Sequence, residues 1–222
     1  MPARRIFVFD AYGTLFDVHS AASREREAVG AGWERLSDLW RTKQLEYTWV
    51  LAAAGRYATF WKLTEEALDV AILAIGGVAP GVRGRLLDAY RALDAYPEVG
   101  AMLARLRDAG ARTAILSNGD PDLLAAALRS AGLEDRFDAV LSVAEAGVFK
   151  PAMKVYALAT RQFGVEAAEI TFVSSNRWDV AGGKAFGFRT VWVNRRGAPD
   201  EYPELAPDTV LGDLSPLAAE EG

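Results

Sequence analysis

The chain has 222 residues, 51% hydrophobic and 25% charged, with a formal net charge of -5, enough for one sizeable α/β core plus an appendage. It lacks the clustered Lys and Arg that nucleic acid and anionic membranes require, so neither is expected as a partner. With no cysteine and His19 as the single histidine, disulfides, thiolate catalysis, His-rich metal sites and a Ser-His-Asp triad have almost no material.

Residues 1–5 carry Arg4 and Arg5, but the apolar stretch that follows is too short for a signal-peptide core. No segment reaches the roughly 18 to 20 apolar residues that span a bilayer, and the chain reads as cytoplasmic. Residues 6–9 form an apolar strand that ends in Asp10, followed by Ala-Tyr-Gly-Thr. A strand is thus expected to deliver a carboxylate onto a tight loop. From Val18 to Tyr96 no strand is evident, and helical patterns cover 33–54, 64–75 and 82–93. This inserted helical cap, 18–96, holds Trp33, Trp40, Trp49 and Trp61 with Tyr47, Tyr57 and Phe60. Most of these aromatics are expected to fill the cap's own core and its contact with the sheet, with one or two left to line a dry pocket.

After the cap, helices over 98–109, 121–131, 152–163 and 179–186 alternate with strands over 112–116, 139–143, 170–173 and 190–193. Pro97 and Pro121 suit first helical turns, and Gly110, Gly132, Gly164 and Gly187 follow last ones. The alternation predicts an α/β fold, a Rossmann-like parallel sheet covered on both faces. The core domain comprises 1–17 and 97–222, and about the last ten residues are expected to be poorly anchored.

In such a sheet ligands bind beyond the carboxyl ends of the strands. There the chain places Asp10 and Thr14, then Ser117-Asn118-Gly119, then Ser174-Ser175-Asn176 with Asp179 close behind, and Lys150 on the loop after the third strand. Singly, such residues read equally well as helix caps or a solvated lysine. Together they point to one site. Arg41 lies in a cap helix beside Leu39, Trp40 and Leu45, either as part of a solvated face or as a fork reaching the sheet. Tyr12 occupies the position where a phosphate-transferring enzyme of this design carries a second carboxylate.

The stretches Phe9-Asp10-Ala11-Tyr12-Gly13-Thr14-Leu15-Phe16-Asp17, Ser117-Asn118-Gly119, Lys150-Pro151 and Ser174-Ser175-Asn176-Arg177-Trp178-Asp179, with Leu39 to Tyr47 of the cap, resemble the L-2-haloacid dehalogenases of the haloacid dehalogenase superfamily. The resemblance runs from about residue 5 to residue 195. It implies a hydrolase acting without metal or cofactor on a small-molecule 2-haloacid, inverting C2 to give the D-2-hydroxy acid, and working as a homodimer. Asp10 would be the nucleophile that forms an ester, and Lys150 would keep it ionised. Arg41 and Asn118 would receive the halide, and Ser117 with loop amides would hold the substrate carboxylate. Thr14, Ser174 and Asn176 would position Asp10, with Tyr156 in support. Asp179 would orient Lys150 or activate water, and Tyr12, Leu45, Phe60 and Trp178 would wall an apolar pocket.

Two positions depart from the family pattern: Thr42 stands where glutamine is frequent, and Arg177 where a small residue is usual. Arg177 could narrow the pocket, recruit a second carboxylate or point to solvent. The competing readings are a magnesium-dependent phosphatase of the same superfamily, which would carry a second aspartate in the first motif, and a carboxylate-binding module without turnover.

Overall fold

The computed structural model describes residues 5–218. Strand β1 (Ile6–Phe9) opens the chain. Five helices follow between residues 18 and 96: α1 (Ser20–Arg24), α2 (Arg26–Val29), α3 (Trp33–Ala53), α4 (Phe60–Ala74) and α5 (Val82–Arg91). The remainder alternates as α6 (Val99–Asp108), β2 (Arg112–Ser117), α7 (Pro121–Ala131), β3 (Ala139–Ser142), α8 (Met153–Phe163), β4 (Ile170–Ser174), α9 (Arg177–Phe186), β5 (Arg189–Val193) and β6 (Thr209–Leu211).

The six strands form one all-parallel sheet in the order β3-β2-β1-β4-β5-β6. All of β1, and nearly all of β2 and β4, is buried, which is why these strands read as unbroken apolar runs. Right-handed crossovers put α6 and α7 on one face and α8 and α9 on the other. The chain builds outward from β1 through β2 to β3, then returns across β1 to β4. The switch point therefore falls at the carboxyl end of β1, where Asp10 begins the loop and its amide bonds the Val173 carbonyl of β4 at 2.9 Å.

The expected elements recur with small shifts, all with physical reasons. Helix α4 starts earlier than expected because Thr59 caps it, accepting from the Lys62 amide at 3.2 Å. Gly110, Gly132, Gly164 and Gly187 all have positive φ, and Gly132, Gly164 and Gly187 are the C-cap residues of α7, α8 and α9. Strand β6 was not expected: it has three residues at the sheet edge, and only Leu211 is buried.

The C-terminal expectation is corrected as far as Leu217, because Leu214 and Leu217 are buried in the core and Arg105 Nη2 donates to the Ser215 carbonyl at 2.7 Å. Residues 219–222, like Met1 to Arg4, lie outside the described residues. Among the described residues no helix is long and apolar enough to cross a membrane.

The aromatics between 18 and 96 serve both the helices and their contact with the sheet. Trp40 is buried and donates to the Thr64 carbonyl at 2.8 Å, tying α3 to α4. Trp49 and Tyr57 instead reach residues of the sheet's loops: Trp49 meets Trp178 edge-on at 5.4 Å and Tyr57 stacks on Phe149 at 5.2 Å.

Candidate active site

The Asp10 side chain is 8% exposed and has partners at both oxygens. Lys150 Nζ lies 3.1 Å from Oδ1, while Oδ2 accepts from Thr14 Oγ1 at 3.0 Å and Asn176 Nδ2 at 2.8 Å. Three loops converge here because β1, β3 and β4 end at the same edge of the sheet. Thr14 reaches back over the turn at Gly13, whose φ of 91° is left-handed, and its hydroxyl also accepts from the Ser175 amide at 2.8 Å.

Lys150 is fully sequestered, and its ammonium lies 2.7 Å from Asp179 Oδ2. Burial alone would favour the neutral amine, but Asp10 and Asp179 reverse this and hold the pKa above its ordinary 10.5. Asp179 shows the opposite balance: burial lifts its pKa to about 6 in spite of Lys150. Tyr156 donates to Asp179 Oδ1 at 2.7 Å. Burial, and then the Asp179 charge, push this phenol well above its ordinary pKa, so it stays a donor.

Ser174 acts one step back from Asp10, its Oγ accepting from the Asn176 amide at 3.1 Å. Ser117 does not touch Asp10 either; it is buried, and its Oγ accepts from the Gly119 amide at 3.1 Å, shaping the loop after β2. Asn118 accepts the Lys150 amide at 3.0 Å through Oδ1, which leaves its Nδ2 without a hydrogen-bond partner among the described residues.

Arg41 projects from α3 onto the nucleophile loop. Nη2 donates to the Tyr12 carbonyl at 3.1 Å and approaches Asn176 Oδ1 at 3.4 Å, while Nη1 donates to Gln44 at 2.9 Å. Asn176 therefore touches both Arg41 and Asp10. The Tyr12 ring is sealed between Phe60 at 5.4 Å and Tyr90 at 5.8 Å, with its hydroxyl buried and unpartnered. Gly119 lies against this ring: a Cβ there would come within 2.7 Å of Tyr12 Cε2. Leu45 and Trp178 lie apart from the hydrogen-bonded cluster, lining with Arg41 and Asn176 a cavity of about 390 Å³.

Arg177 does not point to solvent. It is buried, pairs with Asp200, and donates to the carbonyls of Glu201, Tyr202 and Leu205. The second carboxylate it recruits is thus the protein's own, and it clips the loop after β5 against the start of α9.

Several residues of the site are absent from the sequence reading. Gln44 and Tyr90 hold Arg41, as described below. Asp120 accepts from the Phe60 amide at 3.1 Å and the Trp61 amide at 2.7 Å, so a loop of the sheet caps helix α4. A polar residue following Ser117-Asn118-Gly119 was its sole local signal, and that signal equally fits a cap of α7.

A buried carboxylate held by one ammonium and two neutral donors, beside a guanidinium whose acceptors are all uncharged, suits attack on carbon with an anion departing. The comparisons agree with this chemistry. Residues 5–187 match the model of the haloacid dehalogenase-like hydrolases. The chain is 46% identical to (S)-2-haloacid dehalogenase 1 of Pseudomonas sp. (strain CBS-3), over 96% of this chain and 94% of that protein. It is equally 46% identical to (S)-2-haloacid dehalogenase 4A of Burkholderia cepacia, over 97% and 95%. A structure of L-2-haloacid dehalogenase from Xanthobacter autotrophicus with chloropropionic acid covalently bound superposes with a TM-score of 0.88, at 40% identity over 97% of each chain. This chain belongs to the haloacid dehalogenase-like hydrolase family.

Proposed function

We propose that the chain hydrolyses L-2-haloacids to D-2-hydroxy acids through an ester on Asp10. The observation that carries this reading is the restraint of both Asp10 oxygens by Lys150, Thr14 and Asn176 at the switch point of the sheet. A carboxylate so fixed is oriented before substrate arrives, which lowers the entropic part of the barrier.

In the first step an Asp10 oxygen forms a bond to C2 from the side opposite the halogen, and the carbon–halogen electron pair leaves with the halide. C2 inverts. Arg41 and the free Asn118 amide are positioned to stabilise the charge that develops on the leaving atom. Ser117 and the loop amides around it take the substrate carboxylate. In the second step water adds to the Asp10 carbonyl carbon, the bond from that carbon to the ester oxygen breaks while C2–O stays intact, one proton of the water goes to the departing hydroxyl, and the other is released to solvent, leaving Asp10 a carboxylate. Because the second step occurs at the enzyme's carbon, the configuration set in the first survives.

Asp179 anchors Lys150 in this scheme, since both of its oxygens are engaged, by Lys150 and by Tyr156. Tyr12 offers no second carboxylate of the kind a phosphatase of this superfamily carries in its first motif, and the Ser174-Ser175-Asn176 run stands where such an enzyme carries acidic magnesium ligands. Residues 18–96 serve as a cap that closes over Asp10, with Tyr12, Phe60, Leu45 and Trp178 limiting substrate size. Homodimeric assembly and a cytoplasmic location accompany the same reading; light scattering on the purified protein tests the first.

The test of activity is chloride release from the two enantiomers of 2-chloropropionate in the presence of a chelator. The expected result is release from the S form with D-lactate as product. Release from neither enantiomer, or retention at C2, would overturn the reading.

A further inference from the structure

Arg41 forms no ion pair among the described residues. Its partner one turn further along α3 is the neutral amide of Gln44, with Nη1 to Oε1 at 2.9 Å. Gln44 is buried, and its orientation is fixed from both ends. Arginine can only donate, so Oε1 must face Arg41. Thr64 Oγ1 already donates to the Phe60 carbonyl at 2.8 Å, so at 2.6 Å from Gln44 it must accept from Nε2. Nε2 also lies 3.0 Å from the Tyr90 hydroxyl of α5. The Tyr90 ring in turn stacks on Tyr12 at 5.8 Å and 15°, and the Tyr12 carbonyl accepts from Arg41 Nη2. The contacts thus form a closed circuit through Arg41, Gln44, Tyr90 and Tyr12, binding α3 and α5 to the loop that carries Asp10, with α4 joined to it through Thr64.

We propose that Gln44 is a positioning residue: it aims the Arg41 guanidinium through an uncharged acceptor, so that its full positive charge acts on the departing halide, and Tyr90 holds Gln44 in that pose. This rests on the dehalogenase reading above. A carboxylate at position 44 would aim the guanidinium equally well but neutralise it. At an effective dielectric near 20, two unit charges about 4 Å apart interact strongly enough to remove much of that effect.

Gln44→Glu keeps the shape and changes the charge. First-turnover halide release, measured by rapid quench on (S)-2-bromopropionate, should fall roughly 30-fold near neutral pH. The ratio of variant to wild-type rate should climb towards one as pH falls and the new carboxyl takes up a proton, because a protonated carboxyl offers Arg41 a neutral oxygen again. The groups facing position 44 are Arg41 on its own helix, Thr64 on α4 and Tyr90 on α5, and beyond Tyr90 lie Tyr12, on which its ring stacks, and the charge of Asp10. Dividing by the wild-type profile removes the titrations that both proteins share.

Tyr90→Phe retains the ring stack and removes the hydroxyl; it should slow the same burst by a smaller factor, about 3-fold. Chloride-35 line broadening by the protein reads the Arg41 charge without turnover, and Gln44→Glu should lose most of it. Wild-type protein that broadens the chloride line yet releases no halide from 2-haloacids would sink the dehalogenase reading and leave the inference standing. A Gln44→Glu variant matching wild type in burst rate, pH ratio and line width would overturn the inference, as would an unchanged burst in Tyr90→Phe if Gln44→Glu does not fold.

Discussion

Lys150 Nζ lies closer to Asp179, at 2.7 Å, than to Asp10, at 3.1 Å, so one buried ammonium is shared between two carboxylates. Neither carboxylate has another cation within ion-pairing distance among the described residues. The arrangement stays balanced only while Asp179 keeps its charge, and burial has lifted the Asp179 pKa to about 6.

Halide release should therefore lose rate as pH falls through about 6. The Tyr156 hydrogen bond lowers the Asp179 pKa, so removing it in Tyr156→Phe raises that pKa further and should move the acid limb up by roughly one unit. Stability follows the same titration with the opposite sign. The folded state holds the Asp179 proton more tightly than an unfolded chain, where the ordinary value is 3.8. Rising pH between these two values removes stability, and the loss is complete above about 6. Asp179→Asn should remove this contribution, which urea unfolding across the window would reveal; identical slopes in variant and wild type would contradict it.

Asp120→Ala tests the link between the loop after β2 and α4. It deletes the acceptors of the Phe60 and Trp61 amides, where a carboxylate also answers the helix dipole, while Thr59 still caps α4, and it should lower stability by about 1 to 3 kcal/mol. Because Phe60 shifts with its amide, KM for the haloacid should rise more than kcat falls. A loss of stability with unchanged KM would show that the contact is structural alone.

Gly182→Ala tests how closely α9 must approach. The added Cβ would stand 2.2 Å from the Tyr156 hydroxyl and 2.9 Å from Pro151 Cβ. Displacing Tyr156 should cost about 1 to 3 kcal/mol in overpacking and raise the acid limb in the direction expected for Tyr156→Phe. A variant with wild-type melting temperature and pH profile would contradict the tight fit.

The sheet was legible because a parallel strand buried on both faces must be an apolar run, and Ile6–Phe9 and Ile170–Ser174 are such runs. Asp10, Asn176 and Asp179 were legible because each follows one of those strands or opens the helix after it, and Lys150 because it sits between Phe149 and Pro151 on the loop after β3. Strand β6 was not, since three residues with one buried side chain carry no pattern. Gln44 with Tyr90, and Asp120 with Trp61, were equally hidden: their contacts join positions 46 and 59 residues apart, and nothing in the local sequence of either partner points to the other. The role of Arg177 stayed open among three readings because its partners, Asp200 to Leu205, lie more than 20 residues away on the segment after β5.

The central claim is that Asp10 is esterified and then restored by water. A single turnover in oxygen-18 water, with enzyme in excess of (S)-2-chloropropionate, followed by mass spectrometry of the peptide containing Asp10 and of the lactate, tests it most directly. The heavy oxygen should appear in the Asp10 carboxylate and be absent from the lactate hydroxyl. Heavy oxygen in the lactate, with an unlabelled Asp10 peptide, would mean that water attacks the substrate carbon directly.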